Sequence, residues 1–392
     1  MRSFAEELNQ RLNALRDQGL YRELRRADSA AGPRLEMDGK TYRNFSSNDY
    51  LGLASHPALQ AAAIKGVERF GAGAGASRLI CGSLAPFHEL EDALAAFKKT
   101  EAALTFSTGY AAAVGTITAL MGKEDVIILD KRVHASIVDA ARLSGARLRI
   151  FAHNDLEDLA DKLQWSARQV ASQGHTLVVT ESIFSMDGDA APLREIVALK
   201  EQYGAWLMVD EAHATGIIGE QGRGLADALG VGARIEIQMG TLGKALGASG
   251  GFICGRRALI DYLVNRARSF IFSTAPVPAA AAAALAGLDL IQTATGETLR
   301  SQLHQRIAQV HAALGPPRSA PGSAIVPLIL GEEALAVAAA AQLRAQGLFV
   351  PAIHYPTVAR GAARLRITLT AAHTAEEVAQ LLRALAGINP KS

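Results

Sequence analysis

Between residues 102 and 254 the chain alternates short apolar runs with amphipathic stretches, and few folds accommodate that rhythm. Strand-like runs occupy 102–106, 126–129, 148–151, 176–180, 206–209, 235–239 and 251–254. Helical patterns lie between most of them, as at 134–143, 156–163 and 193–203. Strands separated by helices build βαβ units and a mostly parallel sheet. The run at 251–254 follows its predecessor through a compact loop and is the expected antiparallel exception. Ligands of open α/β sheets sit outside the carboxyl ends of the strands, so the residues that follow each run are the ones to read.

Two of those strand ends stand out. The stretch at 238–251 reads Q-M-G-T-L-G-K-A-L-G-A-S-G-G and sets one lysine, Lys244, among five glycines. Glycine permits sharp bends and close approach, and a desolvated lysine favours its neutral, nucleophilic amine. Such an amine can form a Schiff base with an aldehyde. Upstream, A-W-L-M-V-D-E-A-H-A-T-G at 205–216 ends a buried strand on Asp210, with His213 in the loop beyond. A buried aspartate needs a cationic partner, and a protonated pyridine nitrogen is one. Pyridoxal 5'-phosphate is the cofactor that combines a lysine Schiff base with a carboxylate on its ring nitrogen. No second His/Asp/Glu cluster at ligand spacing accompanies V-D-E-A-H, so no metal site is expected. Ser107-Thr108-Gly109-Tyr110 lies where a strand meets a helix starting near Ala111, and the free amides of a helix start bind phosphate.

Six segments then carry a resemblance. They are S-S-N-D-Y-L-G at 46–52, F-S-T-G-Y at 106–110, F-S-M-D-G-D at 184–189, V-D-E-A-H at 209–213, T-L-G-K at 241–244 and R-L-R-I-T-L-T-A-A-H at 364–373. In this order, over nearly the whole chain, they resemble the α-oxoamine synthases, pyridoxal-phosphate enzymes of the aspartate-aminotransferase fold. The resemblance implies an α/β architecture of that type, with a large, mostly parallel-sheet domain and a smaller carboxyl-terminal α+β domain. It makes Lys244 the cofactor lysine and general base, and Asp210 the partner of the ring nitrogen. His213 falls to the phenolic oxygen, and Gly109, Tyr110, Ser185 and Thr241 become further cofactor contacts, with Glu181 a weaker candidate beside Ser185. His134 is implied to lie face-on to the ring and to meet the substrate. Arg366 is the implied grip on the amino-acid carboxylate; strand alternation puts Arg364 on the same face, so spacing alone does not choose between the two. Arg22, Asn48 and Thr357 match substrate positions. The glycine-rich loop at 71–78 reads equally as a hinge or as an active-site loop near a partner subunit.

The implied activity is a decarboxylative condensation of an amino acid with an acyl thioester. The biotin-pathway branch of the family, joining L-alanine to pimeloyl-CoA or an acyl carrier protein thioester, is the most similar. A sister branch joining glycine to acetyl-CoA, an aminotransferase on the same fold, and a non-catalytic subunit are the alternatives. A homodimer with shared sites is implied by the family alone.

The remaining composition sets limits. A chain of 392 residues is too long for one small core, and three segments are expected: 1–45 with a helix and a hairpin, 46–275 binding the cofactor, and 276–392 as the small domain. A net charge of +2 gives no field favouring nucleic acid or membrane, and the basic stretch at 22–26 reads as a solvated helix face. Two cysteines, Cys81 and Cys254, make no disulfide framework, which fits a reducing cytoplasm. The first residues, M-R-S-F-A-E-E-L, lack the apolar core of a signal peptide. The alanine-rich run at 277–288 is too short to span a bilayer and reads as a buried helix. Pro316, Pro317 and Pro321 break the chain after two long helices, and only 389–392 read as a disordered tail.

Overall fold

The structure is a computed structural model that describes residues 2–170, 174–315 and 319–388. Pro316, Pro317 and the 389–392 tail lie outside them. Helix α1 (Phe4–Asp17) starts on a reciprocal cap between Ser3 and Glu6, which satisfies two amides the helix itself leaves open. The 22–26 stretch that follows is irregular rather than helical. The expected hairpin is β1 (Arg34–Met37) and β2 (Lys40–Asn44). Asp38 and Gly39 both take positive φ at its turn. Helices α2 (Pro57–Phe70) and α3 (Ala85–Lys98) lead into the large sheet.

The sheet unit runs β3 (Ala102–Phe106), α4 (Gly109–Leu120), β4 (Val126–Asp130), α5 (Ala135–Ser144), β5 (Arg147–Phe151) and α6 (Leu156–Gln169). It continues with β6 (Thr176–Glu181), α7 (Leu193–Gln202), β7 (Trp206–Asp210), α8 (Leu225–Ala228), β8 (Ile237–Thr241) and β9 (Gly251–Gly255). These seven strands form one sheet in the order β3-β9-β8-β7-β6-β4-β5. β9 is antiparallel to both its neighbours, as the compact loop before it predicts, and the other pairings are parallel. β8 begins at Ile237 rather than at 235 because 232–234 form a tight helical turn first.

The continuous apolar runs are explained by burial on both faces. In β4, Ile127 and Leu129 pack with Ile117 of α4 and Ile137 of α5, while Val126 and Ile128 pack with Leu159 and Leu163 of α6 and Ile196 of α7. Each such aliphatic side chain, fully buried, contributes about 1.5–3 kcal/mol over its exposed state.

Beyond β9 come α9 (Arg257–Arg266), α10 (Arg268–Ile271), α11 (Pro278–Ile291) and α12 (Ala294–Leu314). Helix α11 lies against α2 so closely that a Cβ on Gly66 would sit 3.0 Å from Ala279 Cα. The last part holds β10 (Ile325–Gly331), α13 (Glu333–Ala345), β11 (Leu348–Phe349), β12 (Ala352–Ile353), β13 (Ala363–Thr368) and α14 (Ala375–Ala386). β10, β13 and β12 make an antiparallel sheet, whereas β11 pairs in parallel with β2. The first strands of the chain thus share a sheet with a strand from near its end. No helix of the described residues is long and apolar enough to cross a membrane.

Candidate active site

The carboxyl ends of β4, β6, β7 and β8 place Asp130, Glu181, Asp210 and Thr241 along one rim. Parallel register sets Glu181 beside Asp210. Past β8 the chain closes a loop in which the Leu242 amide donates to Gly250 O and the Gly247 amide to Lys244 O, each at 2.9 Å. Gly247 is obligatory here. Its φ is +67°, and a Cβ would come within 2.6 Å of Leu53 C. That loop aims Lys244 at His213, with Nζ 2.8 Å from Nε2.

Burial lowers the Lys244 pKa to about 8, against the pull of Asp210 and Glu181. Asp210 is pushed above the usual aspartate range by burial, with Lys244 opposing. Its Oδ1 accepts from the Ala212 amide at 2.9 Å. No cation among the described residues ion-pairs with it. Glu181 is held well above the carboxylate range by burial and then by Asp210. Its Oε2 accepts from the Ser185 amide at 3.2 Å, while Oε1 is buried with no partner among the described residues. His134 caps α5, its Nδ1 2.8 Å from Ser136 Oγ. Partial burial lowers its pKa, with the nearby Asp210 charge opposing.

Spacing left Arg364 and Arg366 indistinguishable, and the structure separates them. Both are buried on β13. Arg364 Nη1 is ion-paired to Asp187 at 2.6 Å. Arg366 instead donates to neutral groups: Ser185 O at 2.7 Å, Thr368 Oγ1 at 2.8 Å and Asn48 Oδ1 at 3.2 Å. Among the described residues it has no carboxylate partner, which leaves its charge for an incoming one. Asn48, Ser185 and Arg366 therefore meet although they lie far apart in sequence.

Other expected residues are placed differently. Gly109 and Tyr110 open α4, where Thr108 Oγ1 accepts from the Ala111 amide at 3.0 Å, while the Gly109 and Tyr110 amides have no partner among the described residues. A Cβ on Gly251 would lie 2.6 Å from Gly109 N, so β9 presses directly on that helix start. The Tyr110 hydroxyl donates to Asp139 at 2.8 Å. Thr241 Oγ1 is engaged within its own loop, donating to Gly250 O and accepting from the Gly243 amide. Arg22 is exposed in the irregular segment after α1, and Thr357 is exposed in the turn before β13. Neither hydrogen-bonds to the Lys244–His213 cluster. Tyr50, not singled out in the sequence, does belong to it: its hydroxyl is 2.5 Å from His213 Nδ1. The only sequence signal was its position within S-S-N-D-Y-L-G.

The donor set fits pyridoxal 5'-phosphate. A buried carboxylate without a cation suits a ring nitrogen that carries a proton, and an amine of lowered pKa suits an aldehyde. The free amides at Gly109 and Tyr110 suit a phosphate. Among the described residues no group of three His, Cys, Asp or Glu is placed to hold a metal ion.

Residues 40–385 match the aminotransferase class I and II family. The chain is 50% identical over 382 residues to 8-amino-7-oxononanoate synthase of Anaeromyxobacter dehalogenans, covering 97% of this chain and 94% of that one. The chain belongs to the α-oxoamine synthase family. The corresponding enzyme of Geobacter sulfurreducens is 46% identical, over 99% of this chain and 98% of its own. Among solved structures, serine palmitoyltransferase from S. paucimobilis, with PLP and myriocin bound, superposes with a TM-score of 0.90 at 30% identity over 99% of both chains. An 8-amino-7-oxononanoate synthase from Francisella tularensis gives 0.73 at 29% identity, over 88% of this chain and 96% of that one. The family fixes the cofactor as pyridoxal 5'-phosphate and the chain as an acyl-transferring enzyme.

A cavity of about 660 Å³ lies away from this cluster, at the opposite rim of the sheet, lined by Trp206, Ile235, Ile237, Leu259 and Tyr262 among others.

Proposed function

We propose that the chain joins L-alanine to pimeloyl-CoA, or to a pimeloyl carrier-protein thioester, giving 8-amino-7-oxononanoate, carbon dioxide and the free thiol. The observation that carries this reading is the placement of an amine of lowered pKa and an arginine without a carboxylate partner in one cluster. The curated relatives, at 46–50% identity over nearly the whole chain, support the choice of substrates. The serine palmitoyltransferase likeness supports the same fold and the same class of condensation.

The bound cofactor supplies an aldehyde for an amine and a ring that takes up the electron pair released at the substrate's Cα. Asp210 would hold the ring nitrogen's proton, His213 the phenolic oxygen and Ser185 the ring's surroundings; the Gly109 and Tyr110 amides would hold the phosphate, with Thr241 beside it only if its hydroxyl leaves Gly250 O. Arg366 grips the alanine carboxylate, with Asn48 steadying the guanidinium. Lys244 Nζ takes the proton from alanine Cα. A base whose pKa is about 8 sits close to the working pH, where proton transfer is most effective. The new Cα–acyl bond forms as the thiolate leaves, and loss of the carboxylate as carbon dioxide makes the sequence hard to reverse. His134 would lie over the bound ring and would limit the side from which the acyl group arrives. Arg22 and Thr357 are proposed as substrate contacts on their motif positions alone.

We further propose a cytoplasmic homodimer. Helix α1 supports a second copy: it has no buried residue, and Phe4, Leu8, Leu12 and Leu15 leave an uncovered apolar face. We also propose segment boundaries near 45, ahead of the large sheet unit, and near 275, beyond β9 and its following helices, although β2 and β11 bind the first segment to the last.

A steady-state panel of glycine, alanine and serine against acetyl-CoA, palmitoyl-CoA and pimeloyl-CoA tests the substrates. Alanine with pimeloyl-CoA is expected to lead the other pairs in kcat/KM by about tenfold or more. Absence of turnover with that pair overturns the substrate reading, and preference for serine with palmitoyl-CoA replaces it.

A further inference from the structure

Tyr50 is wholly buried, and its hydroxyl hydrogen-bonds to two side chains, with the Arg366 guanidinium close by. It lies 2.5 Å from His213 Nδ1 and 3.3 Å from Asn48 Oδ1. Across the imidazole, His213 Nε2 is 2.8 Å from Lys244 Nζ. Arg366 donates to the same Asn48 oxygen at 3.2 Å. Three side chains, His213, Tyr50 and Asn48, thus connect the Lys244 amine to the Arg366 guanidinium.

The ends of this chain fix its direction. A lysine ammonium only donates, and an amide oxygen only accepts. With Lys244 protonated, His213 Nε2 must accept, so the ring hydrogen sits on Nδ1. That hydrogen goes to the Tyr50 oxygen, and the Tyr50 hydrogen goes to Asn48. Every group is then paired. An anionic oxygen facing Nε2 in place of the ammonium reverses the demand, because Nε2 must now donate. Nδ1 becomes an acceptor, and the Tyr50 hydroxyl has to turn and donate to it. A hydroxyl can do both, since it carries one hydrogen and two lone pairs on a free rotor. Ionisation offers no alternative route: burial holds His213 well below the usual imidazole range and pushes Tyr50 up to about 12.

We infer that Tyr50 is a positioning residue that lets a neutral His213 exchange tautomers, offering a lone pair to the free Lys244 ammonium and an N–H to an anionic oxygen of the bound cofactor. The inference rests on the reading of Lys244 and His213 as cofactor residues, and it does not depend on which substrates are used.

Nitrogen NMR of the histidine-labelled enzyme tests it, with His213→Gln identifying the signal. The cofactor-free enzyme near neutral pH is expected to carry the ring hydrogen on Nδ1, and addition of pyridoxal 5'-phosphate is expected to move it to Nε2. In Tyr50→Phe the ring keeps its shape but loses the rotor, so the exchange should vanish. Cofactor affinity in that variant should fall about tenfold, the cost of one buried hydrogen bond. A wild-type His213 that keeps one tautomer with and without cofactor overturns the proposal, as does a Tyr50→Phe enzyme that exchanges normally. The wild-type measurement decides by itself if the variant does not fold. A failed alanine and pimeloyl-CoA assay alongside an intact exchange would remove only the substrate reading.

Discussion

At the carboxyl rim of the large sheet, Glu181 and Asp210 are buried side by side, and among the described residues neither forms a close ion pair, Lys244 acting on both only from a distance. At the amino rim of the same strands, Glu236 accepts from Lys200 Nζ at 2.6 Å and from the Leu207 amide at 2.8 Å. There Lys99 pairs with Asp227 at 2.8 Å, and His175 stacks on Trp206 with centroids 4.3 Å apart. The quiet rim holds the 660 Å³ cavity; the other holds the perturbed groups. Function here follows uncompensated charge rather than empty volume. Buried ionisable groups without partners are expensive, so their concentration at one rim marks where a ligand completes the pairing.

Substitutions at the two rims should therefore differ sharply. Lys244→Ala is expected to lower turnover of alanine and pimeloyl-CoA more than about 1,000-fold, because nucleophile and base are lost together. A variant that keeps near-normal turnover would end the scheme. Arg366→Lys should raise the KM for alanine about 10- to 100-fold through loss of the two-pronged contact. Arg364→Lys should leave that KM within about threefold and show itself in thermal unfolding, since its charge is already spent on Asp187. Equal KM effects would erase the distinction drawn between them. The pH dependence of cofactor capture sharpens the point. Burial first, opposed by Asp210 and Glu181, brings the Lys244 amine to about 8. Below that pH the amine is protonated and inert, so the capture rate by cofactor-free enzyme should climb with pH and level off above about 8. A rise that continues toward the ordinary lysine range, about 10.4, would show that the amine is not desolvated. The smallest effect belongs to the amino rim. Glu236→Gln should cost about 1 kcal/mol of stability, because Lys200 loses its partner, and should leave kcat/KM within about twofold.

The sheet was legible because its strands are buried on both sides. Val126–Asp130 and Trp206–Asp210 read as unbroken apolar runs that end on an acid, and the tight loop before β9 announced its reversed direction. Short elements carried no such signal: Ala352–Ile353 has two residues, too few to show a period, and it exists only by pairing with β13. The motifs marked Lys244, His213, Arg366 and Asn48 as candidates one by one, yet what the motifs could not convey was pairing. Arg364 differs from Arg366 only through Asp187, which lies in a distant loop. The hydroxyl of Thr241 is engaged by Gly250 O, a contact set by the loop's closure. Tyr50 looks like an ordinary core aromatic in a polar stretch until His213 is seen against its oxygen.

The pairing of β2 with β11 has a consequence for the order of events during synthesis. Asn48 and Arg366, 318 residues apart, meet only when the end of the chain is available. A growing polypeptide can assemble the parallel sheet and present its lysine long before that, while strands 34–44 wait with one edge open. On the roles proposed above, the grip on an amino acid therefore arrives in the last moments of translation, and a nascent chain stalled before residue 366 would carry the Lys244 amine without Arg366.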